Sequence, residues 1–123
     1  KSLVYEAIQR EFYRDGQVFY LLNNVSALED KRNEIYKRFP DKTIAFAHGQ
    51  LKPKELATIM QKFIEKKIDL LVCTTIIESG IDIENANTLI VENSENYGLS
   101  QLHQIRGRVG RSKREAFAYF FLN

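Results

Sequence analysis

Short apolar runs alternating with segments of helical apolar period predict an α/β fold. The expected architecture is a three-layer sandwich, a mostly parallel sheet with helices on both faces. Two observations lead there. The runs at 18–22, 68–72 and 88–91 are almost uninterrupted by polar residues, as strands covered on both faces require. Between them lie stretches whose apolar residues recur every three or four positions, and strand-helix alternation with right-handed crossovers builds a parallel sheet. At 123 residues the chain suits one domain with a single core.

The elements follow in order. Residues 2–14 read as an amphipathic helix with Val4, Ile8 and Phe12 on one face, ended by Gly16. Residues 18–22 form the first strand. Ser26-Ala27-Leu28-Glu29 reads as a capping box opening a charged helix that Pro40 cannot continue. Residues 43–47 give the next strand. Pro53 stands at a first-turn position of a helix whose buried stripe is Leu56, Ile59, Met60 and Phe63. The strand before Cys73 comes next, then a strand over 88–91, a helix near 99–104 and a last strand over 116–122. No internal repeat, linker or low-complexity tract interrupts this order.

Composition narrows the function classes. A hydrophobic fraction of 44% is ordinary for a globular chain. A net charge of +2 is too small to bind nucleic acid by bulk electrostatics, so any such contact must come from a local face. Cys73 is the single cysteine, which excludes an intrachain disulfide and suits a reducing, cytoplasmic compartment; its apolar neighbours predict a buried thiol and not a nucleophile. With two histidines a zinc site is not expected, and no metal ligand set is assigned. No apolar run approaches the roughly 20 residues of a membrane span, and no secretory signal opens the chain.

The most informative stretch is 104–111, Gln-Ile-Arg-Gly-Arg-Val-Gly-Arg. Arg106, Arg108 and Arg111 repel one another, and Gly107 and Gly110 weaken any helix that carries them. A solvated basic turn is the plain alternative. An anion bridging the arginines explains the cluster better, because guanidinium is shaped for forked contact with phosphate and stays charged. A second cluster, 73–83, follows an apolar run and releases two hydroxyls (Thr74, Thr75), a carboxylate, a glycine and another carboxylate. Ligands of open α/β sheets sit outside the carboxyl ends of the strands, where this cluster falls. A strand-to-helix turn capped by Thr74 or Thr75 would also account for it.

Together the two clusters resemble the last motifs of superfamily II helicases and translocases, over about residues 16–121. The resemblance implies a RecA-like helicase C-terminal lobe occupying 1–123, part of a longer protein. It marks Arg111 as an arginine finger, Arg108 as a second phosphate contact, Gln104 as a nucleotide-facing polar group, and Gly80 and Asp82 as bordering the ATP site. It places Thr74 and Thr75 on nucleic-acid phosphate. His48-Gly49 would lie on the nucleic-acid track, where a bare glycine lets phosphate approach the backbone; otherwise it is a turn. Asn23 has a similar reading, and Asn side chains closing a turn on their own backbone explain it equally well. Thr75 and His48 follow neighbouring strands and are expected on one edge.

The wording of 72–83, 85–88 and 97–104 resembles the bacterial translocases that displace stalled RNA polymerase and couple transcription to excision repair. Branch-migrating DNA helicases share the Leu-His-Gln lead into the arginine motif and remain the alternative. Glu84 departs from the family, which usually has proline there. No Gly-x-x-x-x-Gly-Lys-Ser/Thr loop and no acidic pair for magnesium occurs. The resemblance therefore implies that ATP and Mg2+ are held mainly by a first RecA-like lobe absent from this chain. Double-stranded DNA is the implied partner, with RNA polymerase and excision-repair proteins reached through other domains. A non-catalytic nucleic-acid-binding module is the rival of another class. A dinucleotide enzyme fails for want of a Gly-x-Gly-x-x-Gly turn after the first strand.

Overall fold

A computed structural model describes residues 2–22, 24–48, 52–74, 86–92 and 117–120. Helix α1 (Ser2–Tyr13) leads into β1 (Gln17–Leu21), and a 3-10 turn (Val25–Ala27) opens α2 (Leu28–Arg38). Strand β2 (Ile44–Ala47), α3 (Pro53–Ile64), β3 (Leu70–Cys73), β4 (Ala86–Val91) and β5 (Phe117–Phe120) follow. The five strands form one sheet in the order β2-β3-β1-β4-β5. Every pairing is parallel, in a register that aligns Ala47, Cys73, Leu21, Val91 and Phe120 and shifts once, between Gln17 and Val18 against β4.

Two cores flank the sheet, and strand alternation decides which side chain joins which. Val18, Tyr20, Ile44, Leu70, Val72 and Ile90 pack with Val4, Ile8 and Phe12 of α1 and with Leu28 and Ile35 of α2. Phe19, Leu21, Ala47, Leu71, Cys73, Leu89 and Val91 pack with Met60 and Phe63 of α3, with Leu56 and Ile59 partly buried against them. The expected sandwich is therefore present, and β1 is buried along its whole length. From β1 the chain passes β3 to reach β2 through α2, then returns to β3 through α3. The two crossovers run in opposite directions on opposite faces, which is what crossovers of one hand must do.

Three local expectations are corrected. The Ser26–Glu29 capping box does not form. The Ser26 hydroxyl instead donates to Asn24 Oδ1 at 2.8 Å, and α2 starts at Leu28 with Ala27 at its N-cap and no side-chain cap. The 3-10 turn takes up that stretch, with the Ala27 N–H on the Asn24 carbonyl at 3.0 Å, while Glu29 and Asp30 still favour the positive end of the helix. The left-handed residue ending α1 is Asp15 (φ 59°), not Gly16. The Asp15 N–H donates to Phe12 O at 3.0 Å and the Gly16 N–H to Glu11 O at 2.9 Å, the two bonds of a Schellman end. Lys66 (φ 65°) ends α3 in the same way, with Lys66 N–H on Phe63 O and Lys67 N–H on Lys62 O. The strand expected over 43–47 begins at Ile44, because Thr43 is tied to Asp69 instead: its N–H donates to Asp69 Oδ2 and its carbonyl accepts from the Asp69 N–H, both at 2.9 Å. Pro53 does open α3, where the Glu55 carboxylate accepts the Lys52 N–H at 3.4 Å.

The amino ends of the strands are closed by polar side chains. Glu11 is buried; it receives Arg14 Nη2 at 2.8 Å and Nε at 3.1 Å, and the Thr88 hydroxyl of β4 at 2.5 Å. Gln17 Nε2 donates to Phe63 O at 2.6 Å and Ile68 O at 2.8 Å, joining β1 to the end of α3. On the outer edge, Arg32 of α2 donates to Ile44 O at 2.7 Å, occupying a carbonyl of a strand with one neighbour.

Candidate nucleotide and nucleic-acid interface

The carboxyl edge of the sheet collects the residues that the sequence singles out. Strands β2 and β3 are adjacent and parallel, and Ala47 pairs with Cys73. His48 and Thr74, the next residue on each strand, therefore leave the sheet side by side. Thr74 is buried and His48 half-buried. The exit of β1 is drawn against the same edge, since the Leu22 N–H donates to Cys73 O at 2.9 Å. The exit of β4 lies on its other side, with the Glu92 N–H on Leu21 O at 3.1 Å. In spatial order the edge reads His48, Thr74, Leu22, Glu92.

Of the expected site residues, the fold brings together His48 and Thr74. Asn23, Gly49, Thr75, Gly80, Asp82, Gln104, Arg108 and Arg111 lie outside the described residues. Asn24, beside Asn23, accepts the Ser26 hydroxyl on its side-chain oxygen, a bond between two side chains. Cys73 is fully buried and burial pushes its thiol well above the ordinary range, so it is the expected inert thiol. Among the described residues no group of three or more His, Cys, Asp or Glu side chains is placed to hold a metal ion, and no helix is long and apolar enough to cross a membrane.

One cluster at this edge had no signal in the sequence. Tyr20, inside β1, donates its hydroxyl to Glu92 Oε2, and Lys31 Nζ of α2 stands 3.2 Å from the same oxygen. Lys31 also reaches Glu34 at 3.5 Å, and Glu34 accepts the Tyr5 hydroxyl of α1. Burial, then the Glu92 hydrogen bond, raises the Tyr20 phenol far above its ordinary value. The Tyr5 phenol is pushed up to about 12 by burial first and Glu34 second, while its hydrogen bond holds the Glu34 carboxyl below its ordinary value. Glu92 is not among the residues the sequence singles out, and Lys31 and Glu34 lie in a segment read there only as a charged helix.

Known proteins match this chain across nearly its whole length. The helicase conserved C-terminal domain pattern fits residues 2–113. The transcription-repair-coupling factor of Staphylococcus aureus (strain USA300) is 53% identical over 119 residues, which are 97% of this chain and 10% of that protein. The chain thus spans about a tenth of the length of the curated relatives it matches. A structure of RecG bound to a three-way DNA junction superposes with a TM-score of 0.85 at 36% identity, over 98% of this chain and 16% of that one. Domain 2 of the DEAD-box helicase Mss116p, bound to an RNA duplex, gives 0.77 at 21% identity over 98% of this chain and 48% of that one, a likeness of fold alone. The parallel sheet covered on both faces is the RecA-like lobe of these motors, and the chain belongs to the helicase conserved C-terminal domain family.

Proposed function

We propose that this chain is the second RecA-like motor lobe of an ATP-dependent double-stranded DNA translocase that displaces stalled RNA polymerase and couples transcription to nucleotide-excision repair in the bacterial cytoplasm. It is one part, residues 1–123, of a longer polypeptide. The observation that carries the reading is the identity to coupling factors along 97% of the chain, well beyond the motifs that helicases in general share.

The chemistry assigned to the chain is that of half a cleft. Gln104, Gly80, Asp82, Arg108 and Arg111 hold ATP from this side. Two permanently charged forks suit a triphosphate, and Arg111 offsets charge on the phosphoryl group as it transfers, a contribution of about 10³–10⁵ in rate in related hydrolases. Mg2+ is assigned with the phosphate loop to the first lobe; the described residues of this lobe supply no acidic cluster for it. Thr74, Thr75, His48, Gly49 and Asn23 grip the DNA backbone. The pairing of β2 with β3 supports this, because it delivers His48 and Thr74 to one edge. Backbone contacts carry no sequence information, which suits a motor that runs on any DNA.

The test uses the full-length protein. It should release RNA polymerase halted on duplex DNA in an ATP-dependent reaction, and Arg111→Ala should lower hydrolysis by about three orders of magnitude while ATP still binds. Near-normal turnover of Arg111→Ala moves the finger to Arg108. Unwinding of three-way junctions without polymerase release favours instead the branch-migrating reading, for which the 36% identity to RecG speaks. Nucleic-acid binding without hydrolysis in the full-length protein would leave the non-catalytic module.

A further inference from the structure

We infer that the outer face of α3 is a second contact with the DNA backbone, continuing from the edge where His48 and Thr74 leave the sheet. The inference rests on the nucleic-acid reading of that edge and adds a surface which that reading does not include. Residues 52–67 carry five lysines against two glutamates, a surplus of three charges, whereas the whole chain nets +2. The remainder of the sequence is therefore slightly acidic. This segment is the local basic face that a chain of low net charge needs in order to hold a polyanion. Met60 and Phe63 turn inward from α3, while Lys54, Thr58 and Lys62 are exposed on its other side. A shallow hollow of about 470 Å³ lies along that side and takes in Lys54, Thr58, Lys62 and Lys67.

The two faces of the sheet use their cations differently. On the face built by α1 and α2, Arg14 meets Glu11, Lys31 meets Glu34 and Glu92, and Arg32 donates to Ile44 O. Arg10 donates to the Tyr119 hydroxyl, while Arg38 and Lys42 stand over the rings of Tyr5 and Phe12 at 4.4 and 5.3 Å. On the α3 face Lys67 meets Glu65 at 3.2 Å, but Lys54, Lys62 and Lys66 have no acid, acceptor or ring as partner among the described residues. Ammonium groups without an internal counter-charge are open to phosphate and release counterions when they meet it. Position favours DNA over an acidic protein surface. Strand β2 ends at Ala47 on the carboxyl edge and α3 starts at Pro53, so Lys54 stands at the end of α3 nearer His48. From there the helix returns toward the amino edge. Its 12 residues cover about 18 Å, the length of about five base pairs of duplex.

The experiment measures binding of a mixed-sequence DNA duplex by the full-length protein over a range of salt concentrations. Lys54→Gln, Lys62→Gln and Lys66→Gln combined should reduce the slope of log affinity against log salt by about two to three. Binding should weaken about five- to tenfold per lysine near 0.1 M salt. Lys54→Arg, Lys62→Arg and Lys66→Arg combined should keep the parent slope, because the charge is what the phosphate meets. Lys37, exposed on α2 and also without a partner among the described residues, is the control, and Lys37→Gln should keep the parent slope. The parent slope and affinity in the glutamine variant overturn the inference. If polymerase release falls in that variant all the same, the face meets an acidic protein surface instead. Equal loss per charge from Lys37→Gln reveals general attraction, and loss of slope in the arginine variant reveals damage to the fold; either overturns it too. Unchanged binding by the lysine variants beside a loss in Thr75→Ala with His48→Ala leaves the nucleic-acid reading of the edge intact. A parent protein that binds no duplex removes that reading itself.

Discussion

Gly16→Ala offers a sharp test of the packing at the amino edge, because the sign of its effect reverses with one other residue. A Cβ at position 16 would stand 1.6 Å from Glu11 Oε2 and 2.6 Å from Glu11 Cδ. A free carboxylate would swing aside, but this one is buried and holds Arg14 by two bonds and the Thr88 hydroxyl by a third. The alanine must therefore force overpacking, at about 1–3 kcal/mol, or turn Glu11 out and leave the buried Thr88 hydroxyl unpaired, at about 1–3 kcal/mol. With Arg14 also disturbed, a loss of about 2–4 kcal/mol is expected, a large share of the roughly 5–15 kcal/mol that stabilises a small domain. The backbone raises no objection of its own, since Gly16 does not occupy the left-handed region.

Glu11→Ala isolates the cause. It is destabilising itself, since Arg14 and Thr88 lose their partner. With the carboxylate gone, however, the three atoms nearest the new Cβ are removed, and Gly16→Ala should act mainly through the unfolded chain, stabilising by about 0.4–1 kcal/mol. Urea unfolding of the four proteins measures the cycle. A cost of Gly16→Ala below about 0.5 kcal/mol in the parent, or the same cost in both backgrounds, would refute the clash and the hydrogen-bonded clamp together.

Other outcomes follow from single observations. Lys66→Gly should stabilise by up to about 1 kcal/mol in the same assay, because the left-handed residue ending α3 then carries no Cβ; no change would mean the Schellman end is not populated. Tyr5 titrated by its phenolate absorbance should ionise near 12 rather than the usual 10.0, and its contribution to stability, present below the unfolded value, should fade as pH rises through the folded one; Glu34→Gln should bring the titration down. Glu34 works in the opposite sense: its contribution is present above the ordinary carboxylate value and is lost as pH falls through its lowered folded value. In the full-length protein, on the proposed function, Thr75→Ala with His48→Ala should reduce DNA-stimulated hydrolysis and polymerase release together, and change the salt dependence of DNA binding little, as neither is a fixed charge; an equal fall in basal and stimulated rates would place them in the fold or the ATP cleft instead. The chain alone should release no phosphate from ATP above background, with or without duplex DNA; sustained turnover after repurification would defeat the half-site assignment.

Among the described residues the strands and helices were legible because burial on both faces writes itself as uninterrupted apolar runs, and α3 declares its stripe at Leu56, Ile59, Met60 and Phe63; the helix expected near 99–104 lies outside them. Helix ends were less legible. Nothing in Lys66 announces a left-handed residue, and Asp15 does so only through the general tolerance of aspartate for that region, since the Schellman bonds that hold them are made by the backbone. At Ser26 the residue types of a capping box were present, but Asn24 competed for the same hydroxyl. For the site, the motif wording supplied residue types and the strand order supplied a common edge for His48 and Thr74. The partners of Glu92 could not be read, because Tyr20, Lys31 and Glu92 lie far apart in the chain and meet only when β1 and β4 pair beneath α2.

The two edges of the sheet use polar groups differently, and the difference follows from topology. At the amino edge, Glu11 and Gln17 join α1, β4, β1 and the end of α3 to one another, and their bonds run inward. At the carboxyl edge, every strand of a parallel sheet releases its chain into a loop, so successive segments are free to present side chains toward a common cleft. His48, Thr74 and Glu92 stand at three such exits. A motor lobe needs both properties at once: a rigid body that moves as a unit, and loops held accurately enough to meet a phosphate on another lobe. At the β4 exit Glu92 is bonded inward to Tyr20 and Lys31, so the packed body of the lobe holds that end of the strand.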